Sequence, residues 1–198
     1  KSGTMHYAVQ RESKTVREAA GILDGSTLGK IEIKGKDALK FMNLIYTNSF
    51  IKMKPGSSRY ALMLGEDGMV KDDGIICKIS DEHFIATTTT GGAANVLACM
   101  EEYGQTEWPK LNVYMNSITE QFATFNISGP KTRDIMSKVF SEIDFSNQAF
   151  PFMTCQFHEF QNTQLSIMIA SFTGEMGYEV YLPSNSALKI WKQIQEAG

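Results

Sequence analysis

The tetrapeptide Gly65-Glu66-Asp67-Gly68 constrains the fold more than any other feature of this chain. It lies between two β-prone runs, residues 59–64 and 75–79. Gly and Asp tolerate the backbone angles that a tight reversal requires, so the two runs are predicted to return on each other as a hairpin. A second hairpin is predicted from residues 165–171 and 178–182 around a Gly-containing turn at 173–177. Strands joined this way are antiparallel.

Helical patterns alternate with these strand sets. Asp37 precedes Ala38, Phe41, Met42 and Ile45, which recur at helical spacing; an Asp there is a natural N-cap. Gly91-Gly92 leads into Ala93, Val96, Leu97 and Met100, again one helix face. Pro130 suits the first turn of a helix carrying Ile135, Met136, Val139 and Phe140. A last helix from Ser184 presents Ala187, Leu188, Trp191 and Ile194. A short helix is predicted over 15–22, and strands over 31–33, 84–90 and 121–128. This mixture predicts an α+β fold with mainly antiparallel sheets and flanking helices, not a doubly wound parallel sheet. The natural division lies between halves 1–110 and 111–198.

At 198 residues, with 42% hydrophobic and 21% charged residues, the chain can bury roughly 70% of its unfolded surface. Its net charge of -3, from 19 basic and 22 acidic residues without long runs, offers no electrostatic footprint for nucleic acid. No apolar stretch approaches the roughly 20 residues that span a bilayer, so no membrane partner is expected. Cys77, Cys99 and Cys155 are odd in number and far apart. They read as reduced, buried thiols of a cytoplasmic protein. The start at Lys1 and the end at Gly198 suit a piece of something longer.

Several chemistries leave no trace. There is no phosphate-binding glycine loop and no G-x-S-x-G nucleophile elbow. His6, His83 and His158 stand apart without metal-ligand spacing, so no metal site is expected. Three features remain. Asp72-Asp73 sits between a hairpin turn and an apolar strand; a strand alternates its faces, so only one of the two acids can point inward. Glu179 shares a strand face with Tyr181, opposite Tyr178, Val180 and Leu182. The run Thr87-Thr88-Thr89-Thr90 suits a strand, with hydroxyls able to line a polar pocket. Read from the residues alone, each also fits a plain structural role: a solvated turn acid, a strand acid facing water, a strand-former.

The chain resembles the glycine-cleavage T-protein (aminomethyltransferase) family. The resemblance rests on Val16-Arg17-Glu18-Ala19-Ala20-Gly21-Ile22 with Asp24 and Ser26, on Asp67-Gly68-Met69-Val70-Lys71-Asp72-Asp73, on Ser128-Gly129-Pro130-Lys131, and on Thr173-Gly174-Glu175-Met176-Gly177-Tyr178-Glu179. Finer strings are similar to the branch found in sarcosine oxidase alpha subunits. These are Ser26-Thr27-Leu28-Gly29-Lys30-Ile31, Tyr46-Thr47-Asn48, Arg59-Tyr60-Ala61-Leu62-Met63-Leu64, residues 87–94, and Gln105-Thr106-Glu107-Trp108-Pro109.

The resemblance implies a folate-binding, aminomethyltransferase-like domain that transfers the one-carbon unit of an oxidised sarcosine imine to tetrahydrofolate, giving 5,10-methylenetetrahydrofolate and glycine. It implies that Asp73 is catalytic, beside the reactive folate nitrogens, and that Glu179 grips the pterin ring in the same water-poor hollow. Tyr60 and Phe172 would supply aromatic contacts, Leu28 an apolar one, and Thr88 would stand where T-proteins place an Asn. Ile169 replaces a family Arg, and Phe172 replaces a Tyr and lacks its hydroxyl. Folate and the other subunits of a sarcosine oxidase are the implied partners. FMN, FAD and NAD would belong to the full enzyme and not to this chain, and a C-terminal barrel part of the family lies outside it. The alternatives are a free-standing aminomethyltransferase of the glycine cleavage type and a non-catalytic folate-binding or assembly module.

Overall fold

The computed structural model describes residues 3–198. In order these form α1 (Met5–Glu18), β1 (Gly21–Asp24), β2 (Gly29–Lys34), α2 (Ala38–Ile45), β3 (Ser57–Leu64), β4 (Val70–Ser80), β5 (His83–Thr88), α3 (Ala93–Thr106), β6 (Tyr114–Ser117), β7 (Phe122–Ser128), α4 (Thr132–Val139), β8 (Cys155–Phe160), β9 (Thr163–Ile169), β10 (Gly177–Pro183) and α5 (Ala187–Ala197). They build two five-stranded sheets, so the expected α+β class and its mainly antiparallel pairing hold.

The described residues divide into two compact units. One is Ser26–Phe122; the other joins the chain up to Gly25 with Ala123–Gly198. This differs from a division at 110/111. The physical reason is β1, which pairs antiparallel with β7 over Gly21↔Ser128 to Asp24↔Phe125 and so carries the amino-terminal segment into the later sheet.

In the Ser26–Phe122 unit the strand order is β3-β4-β5-β2-β6, antiparallel throughout. The predicted Gly-rich hairpin is β3–β4, with Gly68 at φ +77 and the Asp67 carboxylate accepting the Met69 N–H at 3.0 Å. A positive φ of this kind is open to Gly at little cost. One sheet face carries Ile31, Ile33, Ala61, Met63, Ile76, Phe84 and Ala86 into a core closed by Phe41 and Met42 of α2 and Val96 and Met100 of α3. Those helix residues are the ones whose spacing marks an apolar face. Asp37 does precede α2, but its side chain does not cap it; Oδ2 accepts the Asn112 N–H at 2.7 Å instead.

In the other unit the order is β1-β7-β10-β9-β8, with antiparallel pairing at β1–β7, β10–β9 and β9–β8. Ala123, Phe125, Ile127, Leu165, Ile167, Ile169, Tyr178, Val180 and Leu182 form a core with Met136 of α4 and Ile190 and Ile194 of α5. Residues predicted as a helix over 15–22 instead end α1 at Glu18 and begin β1 at Gly21. Lys131 N–H bonds the Ala19 carbonyl at 2.9 Å. Gly129, at φ +130, brings its backbone so close that a Cβ there would lie 2.5 Å from the Ala19 carbonyl oxygen. No side chain other than a hydrogen fits.

Candidate functional site

The Asp72-Asp73 pair lies in β4 directly after the hairpin turn, and the strand sends its members apart. Register sets Met63 opposite Asp72 and Leu62 opposite Asp73, with Tyr60 opposite Ile75. Alternation therefore puts Asp72 on the core face and Asp73 on the reverse face with Tyr60, Leu62 and Ile75.

Asp72 is only 6% exposed. Its Oδ1 accepts the backbone N–H of Asp73 at 2.7 Å and of Thr89 at 3.2 Å, and its Oδ2 accepts the Thr89 hydroxyl at 3.1 Å. A buried carboxylate tolerates desolvation only with such partners. Burial, and secondarily the nearby charges of Asp72 and Cys99, pushes the Tyr46 hydroxyl well above its ordinary pKa. Asp72 thus organises the strand end.

Asp73 is half-buried, and its Oδ2 accepts the Tyr60 hydroxyl at 2.7 Å. Tyr60 is 52% exposed. Its hydroxyl is pushed above the usual tyrosine range, first because it donates to Asp73 and then by slight desolvation and the carboxylate's charge. The structure therefore joins two residues that the sequence named for separate roles, one as an acid and one as an aromatic surface. The signal for their contact was the hairpin, which brings residues 13 apart onto one face.

Leu28 is half-buried immediately before β2. Its carbonyl accepts Lys30 Nζ at 2.8 Å, and the Ser26 carbonyl accepts the same ammonium at 3.0 Å. Thr88 pairs opposite Gly29, as Ala86 does opposite Ile31, which sets Thr88 on the core face and not with Asp73. It is 4% exposed and donates to the Thr89 carbonyl at 2.9 Å. The threonine on the Asp73 face is Thr87, whose hydroxyl accepts the Ile75 N–H at 2.8 Å.

In the other unit Glu179 lies in β10, opposite Met168 of β9. As alternation predicts, Tyr178, Val180 and Leu182 enter the core while Glu179 and Tyr181 take the reverse face. Glu179 is 9% exposed. Its carboxylate accepts the Tyr181 hydroxyl in a short hydrogen bond and Asn126 Nδ2 at 3.5 Å. Asn126 in turn accepts from the Ser128 hydroxyl at 2.5 Å. Neither Asn126 nor Tyr181 was singled out from the sequence as a site partner, although Tyr181 shares a strand face with Glu179.

Ile169, opposite Tyr178, is part of the apolar core and not of the Glu179 face. Phe172 is 87% exposed in the turn between β9 and β10. That turn is held by Ser171 Oγ donating to the Glu175 carbonyl at 2.8 Å and by an ion pair of Arg17 with Glu175 at 2.8 Å. The strings containing Arg17, Gly129 and Glu175 meet here, since Gly129 N–H also bonds the Met176 carbonyl at 2.8 Å. Cys77, Cys99 and Cys155 are buried free thiols. Among the described residues no group of acids, cysteines and histidines could hold a metal, and no helix is long and apolar enough to cross a membrane.

Residues 1–198 match the family described as GCVT N-terminal domain. The chain is 46% identical over 196 residues to the sarcosine oxidase subunit alpha of Corynebacterium sp. (strain U-96), an alignment spanning 98% of this chain and 20% of that one. It is 31% identical over 200 residues to the aminomethyltransferase of Chlorobium phaeovibrioides, covering 98% of this chain and 52% of that protein. The chain thus spans about a fifth of the one relative and about half of the other. In fold it matches the glycine cleavage system aminomethyltransferase T from Bartonella henselae with a TM-score of 0.80 at 22% identity, over 94% of this chain and 48% of that one. The chain belongs to the GCVT N-terminal domain family and has its aminomethyltransferase-like fold.

Proposed function

We propose that this chain is the tetrahydrofolate-binding part of a sarcosine oxidase alpha subunit. It captures the one-carbon unit of the oxidised sarcosine imine on tetrahydrofolate, giving 5,10-methylenetetrahydrofolate and glycine. The observation that carries the reading is the Tyr60–Asp73 pair: a carboxylate held by a tyrosine at 2.7 Å, away from the apolar core. The higher identity to a sarcosine oxidase alpha subunit than to an aminomethyltransferase, 46% against 31%, supports that branch over a free-standing aminomethyltransferase.

The residues fit the group. A pterin edge offers adjacent N–H donors, and a carboxylate accepts up to about four hydrogen bonds. Glu179 is a nearly buried carboxylate with Asn126 and Tyr181 among its partners, which preorganises it for a charged, two-donor contact. Tetrahydrofolate supplies the two nitrogens on which the carbon is captured. In this reading Asp73 stabilises the positive charge that develops at that carbon and takes up a proton, while Tyr60 holds the carboxylate in one orientation. Tyr60 and Leu28 exclude water, which would otherwise hydrolyse the imine to formaldehyde. Phe172 contributes aromatic surface, and Thr88 supports the wall from its core side. The flavin and nicotinamide steps belong to other parts of the enzyme.

The test is product partition in the full-length enzyme turning over sarcosine with tetrahydrofolate. Asp73→Ala is expected to leave sarcosine consumption intact and to divert the carbon from 5,10-methylenetetrahydrofolate to formaldehyde. Unchanged partition removes Asp73 from the reaction.

A further inference from the structure

β3 is an edge strand, so its outer backbone groups lack a neighbouring strand. Such edges invite pairing with other chains, and covering them is one way proteins prevent it. Here the covering group is a side chain. Asn48 Oδ1 accepts the Leu62 N–H at 3.2 Å, and Asn48 Nδ2 donates to the Tyr60 carbonyl at 3.2 Å. One primary amide, with its acceptor and its donors, copies what a paired peptide would do. Thr47 adds its N–H and its hydroxyl to the Leu62 carbonyl at 3.1 and 3.2 Å. A further tether joins Arg59 to the Ser49 carbonyl. Tyr46, buried and close enough to feel the Asp72 charge, completes the segment.

We propose that Asn48 is a positioning residue for the Tyr60–Asp73 pair. By pinning the free edge of β3 on both sides of Ala61, it holds the Tyr60 hydroxyl on the Asp73 carboxylate. The amide grips the two residues that matter: Tyr60 itself, and Leu62, which lies opposite Asp73. A hydrogen bond of 2.7 Å between side chains on two strands survives only if the strands do not slide, and displacements of about half an ångström already degrade such a constellation. The Asn48 amide bonds the backbone of Tyr60 and Leu62 and not the carboxylate or the phenol, so its action is indirect. Its bearing on folate rests on the function proposed above; its bearing on Tyr60 does not.

The experiment uses the full-length protein. The Tyr60 ionisation is isolated as the ultraviolet phenolate titration of the protein minus that of Tyr60→Phe. In the unaltered protein Tyr60 ionises above an ordinary tyrosine. With Asn48→Ala that step moves down toward the ordinary value, and with Asn48→Ser, which retains one short polar group, it moves part of the way. Tetrahydrofolate affinity falls about 3- to 10-fold in Asn48→Ala but does not fall further when Asn48→Ala is added to Tyr60→Phe, because the two act as one unit. An unmoved Tyr60 titration in a folded Asn48 variant overturns the proposal, and so do additive losses. Absence of tetrahydrofolate binding in the unaltered protein overturns the folate reading instead, and the Tyr60 titration then decides Asn48 alone.

Discussion

Asp72 holds Thr89 twice, taking its backbone N–H at 3.2 Å on one carboxylate oxygen and its hydroxyl at 3.1 Å on the other. The acid next to it in sequence does nothing of the kind; Asp73 is on the reverse face with Tyr60. Two adjacent aspartates therefore divide into a structural acid and a candidate chemical one. Asp72→Ala is expected to destabilise the Ser26–Phe122 unit by about 2–3 kcal/mol, since it removes a buried carboxylate that holds two backbone N–H groups and a hydroxyl. Asp73→Asn is expected to change stability by less than about 0.5 kcal/mol. Denaturant titration of both variants checks the contrast, and equal losses would refute it.

Gly74 follows the pair, and its backbone presses on the next strand. A Cβ there would lie 1.9 Å from the Thr87 carbonyl oxygen, a position that no rotamer change relieves. Gly74→Ala is expected to cost at least about 2 kcal/mol by forcing β4 and β5 apart. A melting temperature equal to that of the unaltered protein would show that the strands can yield.

How far the sequence spoke is clearest around these residues. Gly65 to Gly68 announced the β3–β4 hairpin because few other residues adopt its angles, and the helix faces of α2, α3 and α4 announced themselves by apolar spacing; on α5 the spacing named Leu188, which is exposed, and missed Ile190, which is buried. Strand β8 gave little signal, since Phe157 on it faces solvent and blurs the alternation. Helix α1 buries no residue, so no apolar stripe marked its first ten positions. β1 was hidden for another reason: it pairs with β7, about a hundred residues later, and no local pattern carries that information. At the site, Asp73, Tyr60 and Glu179 were legible as residues, and the hairpin carried the signal that sets Tyr60 beside Asp73, but the Asn126 contact of Glu179 comes from a distant strand and was not. Whether Thr87 or Thr88 accompanies Asp73 depends on register, and one position of slip exchanges the faces.

His158 offers a pH test of the unit that contains β8. Burial lowers its pKa below the ordinary value of about 6.5. Its Nε2 is enclosed without a hydrogen-bond partner. Well above about pH 6.5 the ring is neutral in folded and unfolded chains alike, and its titration adds no pH dependence. As pH falls below that value the unfolded chain binds the proton first, so stability declines until the folded ring also protonates. Denaturant titrations from pH 7.5 to about pH 5 are expected to show a decline that His158→Phe reduces. Identical slopes would remove His158 from the pH dependence.

The Arg17–Glu175 pair sets a limit in the other direction. It is well formed, yet Arg17 is largely exposed, and exposed pairs contribute only about 0.2–1 kcal/mol. Arg17→Ala is therefore expected to cost less than about 1 kcal/mol by thermal denaturation, and less still at high salt. A larger loss would mean that the Phe172 turn depends on this contact far more than its exposure implies.

Whether Asp73 and Glu179 serve tetrahydrofolate is decided by titrating it. Calorimetry on the full-length protein, Asp73→Ala and Glu179→Ala is expected to show saturable binding to the unaltered protein. Glu179→Ala should weaken it most, by roughly 1–3 kcal/mol for the loss of a charged hydrogen bond, and Asp73→Ala should weaken it less. Affinity unchanged in both variants would remove Asp73 and Glu179 from the folate site.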